Sequence, residues 1–295
     1  MKQFKTIIVL MVAALFVFSG CEKSELIDSK HDNNPKNTSF LNFKNKKDIE
    51  NALEIGSWEA KPEDFISMYD IYIQIEETED EKMRKRLIEK HKDILKFDED
   101  SIIDLIISDP VLASFLSPKG LVKVGNEISL VKKDKIITLT DGDASKIELL
   151  YQFEESNKKF NIRVDDLIQI NRTNKAEWSG TNNYAFHKKF KWEKWALYSP
   201  WNSSAGGKIK SYSYEKKLFG SRWVTYKTNL YLHVRWDRIV WGQDGDITRW
   251  DNGHIYDSKH GWFLSERRYR GAGWTPNPVY GLTIDGSVNG YSFNH

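Results

Sequence analysis

Leu230-Tyr231-Leu232-His233-Val234-Arg235-Trp236 alternates large apolar side chains with polar or amphipathic ones. A period of two marks a strand with one buried face, so Leu230, Leu232, Val234 and Trp236 are expected to enter a core while Tyr231, His233 and Arg235 face away from it. Just upstream, residues 209–214 and 222–228 flank Leu218-Phe219-Gly220-Ser221 and predict a hairpin. Downstream, turns are predicted at 243–245 and 251–253, with strands around 254–256, 261–264 and 279–284. Many short strands with Gly-rich turns in residues 178–295 predict an all-β sandwich or small barrel.

Composition separates this region from what precedes it. Residues 178–295 hold 17 basic and 9 acidic side chains, whereas residues 21–177 hold 25 basic and 33 acidic. Ten of the 11 Trp and ten of the 13 Tyr also lie in 178–295. Two domains are expected: an acidic α+β domain over 40–177 and a basic, aromatic-rich β domain over 178–295. Their opposite net charges would favour docking of one on the other.

Within the acidic part, helices are predicted at 48–53, from Pro62 through Ile75, at 80–97, at 101–107 and at 110–116, the last with Asp109 as cap and Pro110 in its first turn. Short β segments follow at 121–124, 127–131 and 135–140, so the chain as a whole reads as α+β. His91 reads as a helix-face residue. Asp141-Gly142-Asp143 resembles the opening of a calcium loop, yet Lys146 and Gln152 occupy the positions that need Gly and Glu.

The N-terminus carries a different message. Lys2 and Lys5 precede twelve consecutive apolar residues, 7–18, in the order of a secretory signal. That run is too short as a helix to cross a bilayer core of about 30 Å. It ends in Phe18-Ser19-Gly20-Cys21, and Cys21 is the one cysteine of the chain. This resembles the lipobox of bacterial lipoproteins, although Phe18 stands where an aliphatic residue is usual. The resemblance implies a signal peptide over 1–20 and lipidation of Cys21, with several acyl chains giving a stable membrane anchor. Residues 21–39 then form the lipidated Cys and a flexible tether with a reach of roughly 20–25 Å. Glu22, Lys23 and Glu25 loosely resemble the surface-export signal of Bacteroidota lipoproteins. The order of segments resembles two-domain surface lipoproteins of that phylum, which implies an outer-membrane protein exposed at the cell surface, with a periplasm-facing anchor as the alternative.

The function classes are narrowed as much by what is missing as by what is present. One Cys excludes an internal disulfide framework and a Cys-rich zinc site. A net charge of +2 gives no reason to expect nucleic acid as a partner. No nucleophile elbow, phosphate loop, dinucleotide fingerprint or H-E-x-x-H occurs, and no cofactor is expected. Trp201, Trp250 and Trp274 lie beside Pro, Asn or Gly and read as loop aromatics, either core or a stacking platform for a ligand. Tyr256, and Arg268 in the basic run Arg267-Arg268-Tyr269-Arg270, complete the candidate ligand contacts. His254, Asp257 and His260 form an H-x-x-D-x-x-H spacing, the candidate metal set. The expected function is a non-enzymatic binding or adhesion module for a glycan or other extracellular ligand, a surface protein included. The alternatives are a polymer hydrolase using carboxylates or the His254, Asp257, His260 site, and a structural envelope protein.

Overall fold

The computed structural model describes residues 40–98, 101–169, 179–185, 187–201, 203–217, 220–243, 247–269, 274–277 and 282–294. The predicted signal peptide, Cys21 and the tether lie outside the described residues. Residues 39–295 form one compact unit.

Strand β1 (Asn42–Phe43) leads into helix α1 (Lys46–Ile55), which is capped by the Asn45 side chain and closed by Gly56 at φ 80°. There the backbone needs the left-handed conformation that glycine adopts without penalty. Helix α2 (Met68–Glu77) opens on a reciprocal capping box between Ser67 and Asp70, not at Pro62. Helix α3 (Glu81–Lys90) is capped by Asp80 and stops well before residue 97, because the chain turns through Lys92–Ile94 into strand β2 (Leu95–Phe97). A second departure follows. Ile103–Leu105 is a strand, β3, rather than a helix, and it pairs antiparallel with β2 so that Lys96 stands opposite Asp104.

Helix α4 (Pro110–Ala113) has Asp109 as its cap, as its sequence predicts. Strands β4 (Leu121–Val124), β5 (Glu127–Val131) and β6 (Lys135–Leu139) follow, and β7 (Ile162–Asp166) completes a five-stranded sheet in the order β1-β4-β5-β6-β7. One face of this sheet buries Ile128, Leu130 and Ile137 with Ile147 and Leu150 of a 3₁₀ helix at Ala144–Tyr151. Its other face contributes Val122, Val131 and Ile136 to the core beneath the helices.

The remainder is a sandwich. The first of its sheets contains β8 (Ile168–Gln169), β9 (Ser179–Ala185), β10 (Lys188–Tyr198), β11 (Ser203–Lys217), β12 (Gly220–Thr225) and, reached later in the chain, Phe263–Tyr269. The second is built on the long hairpin β13 (Thr228–Gln243) and β14 (Ile247–Gly261). With Phe263–Tyr269 numbered β15, the second sheet adds β16 (Trp274–Asn277), β17 (Leu282–Val288) and β18 (Tyr291–Asn294). Phe190, Trp192, Ile209 and Leu264 from the first sheet meet Leu232, Val234, Ile284 and Val288 from the second in one core. Neither strand order closes on itself among the described residues, so the architecture is a sandwich and not a barrel. Among the described residues the protein is mostly β, with short helices confined to the N-terminal part, an α+β content in the loose sense.

The turn predicted at 251–253 is absent, because β14 runs through it. A Cβ on Gly253 would lie 2.8 Å from the Trp236 ring, so this glycine makes room for an indole rather than bending the chain. The first sandwich sheet also turns its opposite face to the helices, where Trp195, Leu197, Trp201, Trp262 and Phe263 join Tyr72, Ile75 and Phe115. The acidic and basic parts of the chain therefore share a core. No helix among the described residues is long and apolar enough to cross a membrane.

Candidate functional site

The alternation that predicts β13 also builds the candidate site. Leu230, Leu232, Val234 and Trp236 are buried, which turns Tyr231, His233 and Arg235 to the outer face of the second sheet. Register then decides their neighbours. His233 stands opposite Tyr256 on β14 and Asp285 on β17, and Arg235 stands opposite His254 and Thr283. Directly opposed residues share a face and touch.

His233 Nδ1 donates to Asp285 Oδ2 at 3.1 Å, and Arg235 Nη2 lies 3.6 Å from the same oxygen. His233 Nε2 is buried and has no hydrogen-bond partner among the described residues. The rings of His233 and His254 lie 5.2 Å apart, and both stand edge-on to Tyr256, at 83° and 88°. Tyr256 is 65% exposed and stands on a paired strand, which holds the ring without the entropy cost of ordering a loop. The arrangement is an exposed phenol ring bordered by two imidazoles, a carboxylate and a guanidinium. Chemically it can stack on an apolar ligand face and hydrogen-bond to polar groups around that face.

The other expected ligand contacts go elsewhere. Trp201 is 6% exposed and belongs to the core beneath the helices, with its carbonyl accepting from the Tyr269 hydroxyl. Trp250 and Trp274 lie on strands β14 and β16 rather than in loops, and their side chains are outside the described part of the molecule. Arg268 is exposed and packs 5.9 Å from the ring of Trp236, whose side chain points away from the Tyr256 face. Its neighbour Arg267 turns the other way and binds Asp109.

The candidate metal set does not converge. All three residues lie on β14, where alternation sends Asp257 to the face opposite His254 and His260. Six residues of strand separate the two histidines by about 20 Å. His260 Nδ1 pairs with Asn229 Oδ1 at 3.0 Å instead. Among the described residues, no group of three His, Cys, Asp or Glu side chains is placed to hold a metal.

A second polar site lies where the hairpin β2–β3 crosses the first sandwich sheet, and local sequence patterns give no sign of it. Asp104 accepts from Lys208 at 3.1 Å and Lys210 at 2.8 Å, while Glu193 pairs with Lys96 and Lys208, both at 3.2 Å. Burial pushes both carboxyls up, and the neighbouring ammonium groups outweigh it, holding Asp104 well below and Glu193 below the usual carboxylate range. Neither is set up as the protonated acid that glycoside hydrolysis needs. Behind them, burial lifts Glu76 to about 7 against the attraction of Lys210 and Arg84.

No protein-family model and no curated protein sequence matches the chain. Among solved structures, the chain is similar to a DUF4848 family protein from Bacteroides thetaiotaomicron VPI-5482. The identity is 14% over 87% of this chain and 95% of that one, with a TM-score of 0.26.

Proposed function

We propose that this is an exported lipoprotein, anchored through acylated Cys21 at the outer membrane and displayed at the surface, that binds an extracellular glycan without chemical turnover. The observation carrying the binding half is Tyr256, 65% exposed on a rigid strand and bordered by His233, His254, Arg235 and Asp285. A pyranose has an apolar face for the ring and hydroxyls for the polar border. The anchoring half is supported by the run 7–18 ending at Cys21.

Full-length protein in detergent, applied to an array of neutral and anionic glycans, tests the first half. Binding that Tyr256→Ala weakens at least tenfold supports it, and silence across the whole array removes it. For the second half, Cys21→Ser should abolish incorporation of labelled fatty acid and release the protein from the membrane fraction. Unchanged retention with no lipid attached overturns that half alone.

A further inference from the structure

The layers of the molecule follow one another from core to core. The 3₁₀ helix Ala144–Tyr151 packs on one face of the sheet β1-β4-β5-β6-β7, and the other face of that sheet meets the helices. The helices meet the first sandwich sheet, and that sheet meets the second. The Tyr256 face closes this series at one end and the 3₁₀ helix closes it at the other.

Aromatic rings gather at the 3₁₀ end. Tyr151 is 39% exposed, and Phe160 is 37% exposed and lies 5.4 Å from the half-buried Phe153. A closed turn holds Phe160 in place: Asn157 and Ile162 exchange both backbone hydrogen bonds, at 2.8 and 3.0 Å, and Asn161 adopts the left-handed conformation at φ 57°. Charges around the rings come close to balance. Lys132 and Lys135 bridge Glu154, Lys158 and Lys159 match Glu148 and Glu155 in number, and Asp93 lies near Tyr151. This face therefore has little to attract a partner by net charge. Rings with polar surroundings suit a boundary between apolar and wet phases.

Connectivity says which boundary. The chain enters the described unit at Phe40, whose side chain packs against the same small core as Phe153. Residues 22–39 separate Cys21 from Phe40, and a flexible span of that length reaches roughly 20–25 Å. An anchor at Cys21 holds this end of the molecule beside the bilayer at high effective concentration, where even a weak contact is occupied.

We propose, on the basis of the Cys21 anchor inferred above, that the face carrying Tyr151, Phe153 and Phe160 rests on the membrane surface. Its rings lie among the lipid headgroups, and the Tyr256 face is left turned away from the bilayer.

Full-length protein reconstituted in phosphatidylcholine vesicles that contain a photoreactive phosphatidylcholine tests this. Cross-linked peptides are mapped by mass spectrometry, and incorporated fatty acid is measured on the same sample. Cross-links concentrated in residues 148–161 are expected, at least fivefold above those at Tyr256 or at Ile55, which is 74% exposed on the helix side of the sheet. The yield should not change in about 0.5 M salt, which screens ionic contacts. Tyr151→Ser combined with Phe160→Ser should lower it at least fivefold with acylation and vesicle retention unchanged. Tyr151→Ser alone should give an intermediate loss, which guards against a folding defect in the double variant. Acylated protein whose cross-links spread evenly over the exposed faces, join this face to a second copy of the chain, vanish in salt or persist in both variants overturns the proposal and leaves the anchor standing. Cross-links concentrated here without acylation keep the contact and overturn the anchor. Protein that is neither acylated nor retained on the vesicles overturns both.

Discussion

The first sandwich sheet is buried on both faces, and the two faces are packed by different physics. Toward β13 and β17 it presents Phe190, Trp192, Ala205 and Ile209, a mainly apolar surface in which Lys194 donates to the Leu282 carbonyl. Toward the helices it presents Lys208, Lys210 and Tyr212 beside Trp195, so the same strands that line a greasy core also carry ammonium groups into a buried layer. One face is stabilised by area removed from water. The other holds only while each charge has its partner. The partners come largely from the acidic part of the chain, Asp104 for Lys208 and Lys210, Asp98 for Lys191 and Asp109 for Arg267, so the opposite net charges of the two parts do meet.

The comparison can be tested where the charged face is least forgiving. Asp109, whose side chain is fully buried, caps α4 and accepts from Ser204 Oγ and Arg267 Nη1, both at 2.9 Å. Arg267→Met removes the cation beside that buried carboxylate, leaving it Ser204 and the α4 cap, and should cost about 3–5 kcal/mol in denaturant unfolding. A loss under about 1 kcal/mol would mean that the charged face is as tolerant as a surface.

Glu76 tests the same face through pH. Its folded-state pKa of about 7 lies above the unfolded value, so the native state binds the extra proton. Its contribution is fully present below about 4.5 and is lost as pH rises toward 7, up to roughly 3 kcal/mol. Glu76→Gln should therefore gain stability relative to the parent protein between pH 4.5 and 7, read as a difference in Tm at each pH. A difference flat with pH would place Glu76 in contact with water.

The apolar face should instead respond to volume. A Cβ on Gly207 would sit 2.6 Å from Ile284 Cγ2 and 3.1 Å from Val234 Cγ2. Gly207→Ala should cost about 1–3 kcal/mol with no pH dependence over the range in which Glu76 titrates. A neutral result would show that the two sheets can separate at no cost. The smallest expected effect is on the outer face of the second sheet. Tyr256→Ala should change stability by under about 0.5 kcal/mol while removing glycan binding. A large loss of stability would make Tyr256 a packing residue.

How far these features can be read from sequence depends on how many faces of a segment are buried. Residues 230–236 alternate because one face of β13 meets the core and the other does not, so both the strand and the outward set Tyr231, His233 and Arg235 are legible. Residues 101–107 mislead, since Ile102, Ile103, Leu105 and Ile107 are all buried and a short apolar run fits a helix as well as a strand. Once β3 is missed, Asp104 has no assigned face, and its pairing with Lys208 and Lys210 is invisible.

Tyr256 is a named candidate before the fold is known, but its partners His233 and Asp285 are 52 residues apart and meet only through strand register. His254 and His260 fail for the reciprocal reason, because a spacing that looks local is stretched along an extended strand.

By itself, then, the sequence determined an α+β chain with an aromatic β region, the caps of its helices and an N-terminal segment resembling a lipoprotein signal. Those features follow from neighbours a few residues apart: side-chain periodicity, Asp and Ser oxygens within reach of the next turn, and an uninterrupted apolar run. Only the tertiary structure decided which tryptophans are core, which lysines are buried and which aromatic ring stands in the open. Burial and ion pairing depend on segments 50 to 160 residues apart coming together, as Asp109 and Arg267 do across 158 residues, and no local pattern encodes that meeting.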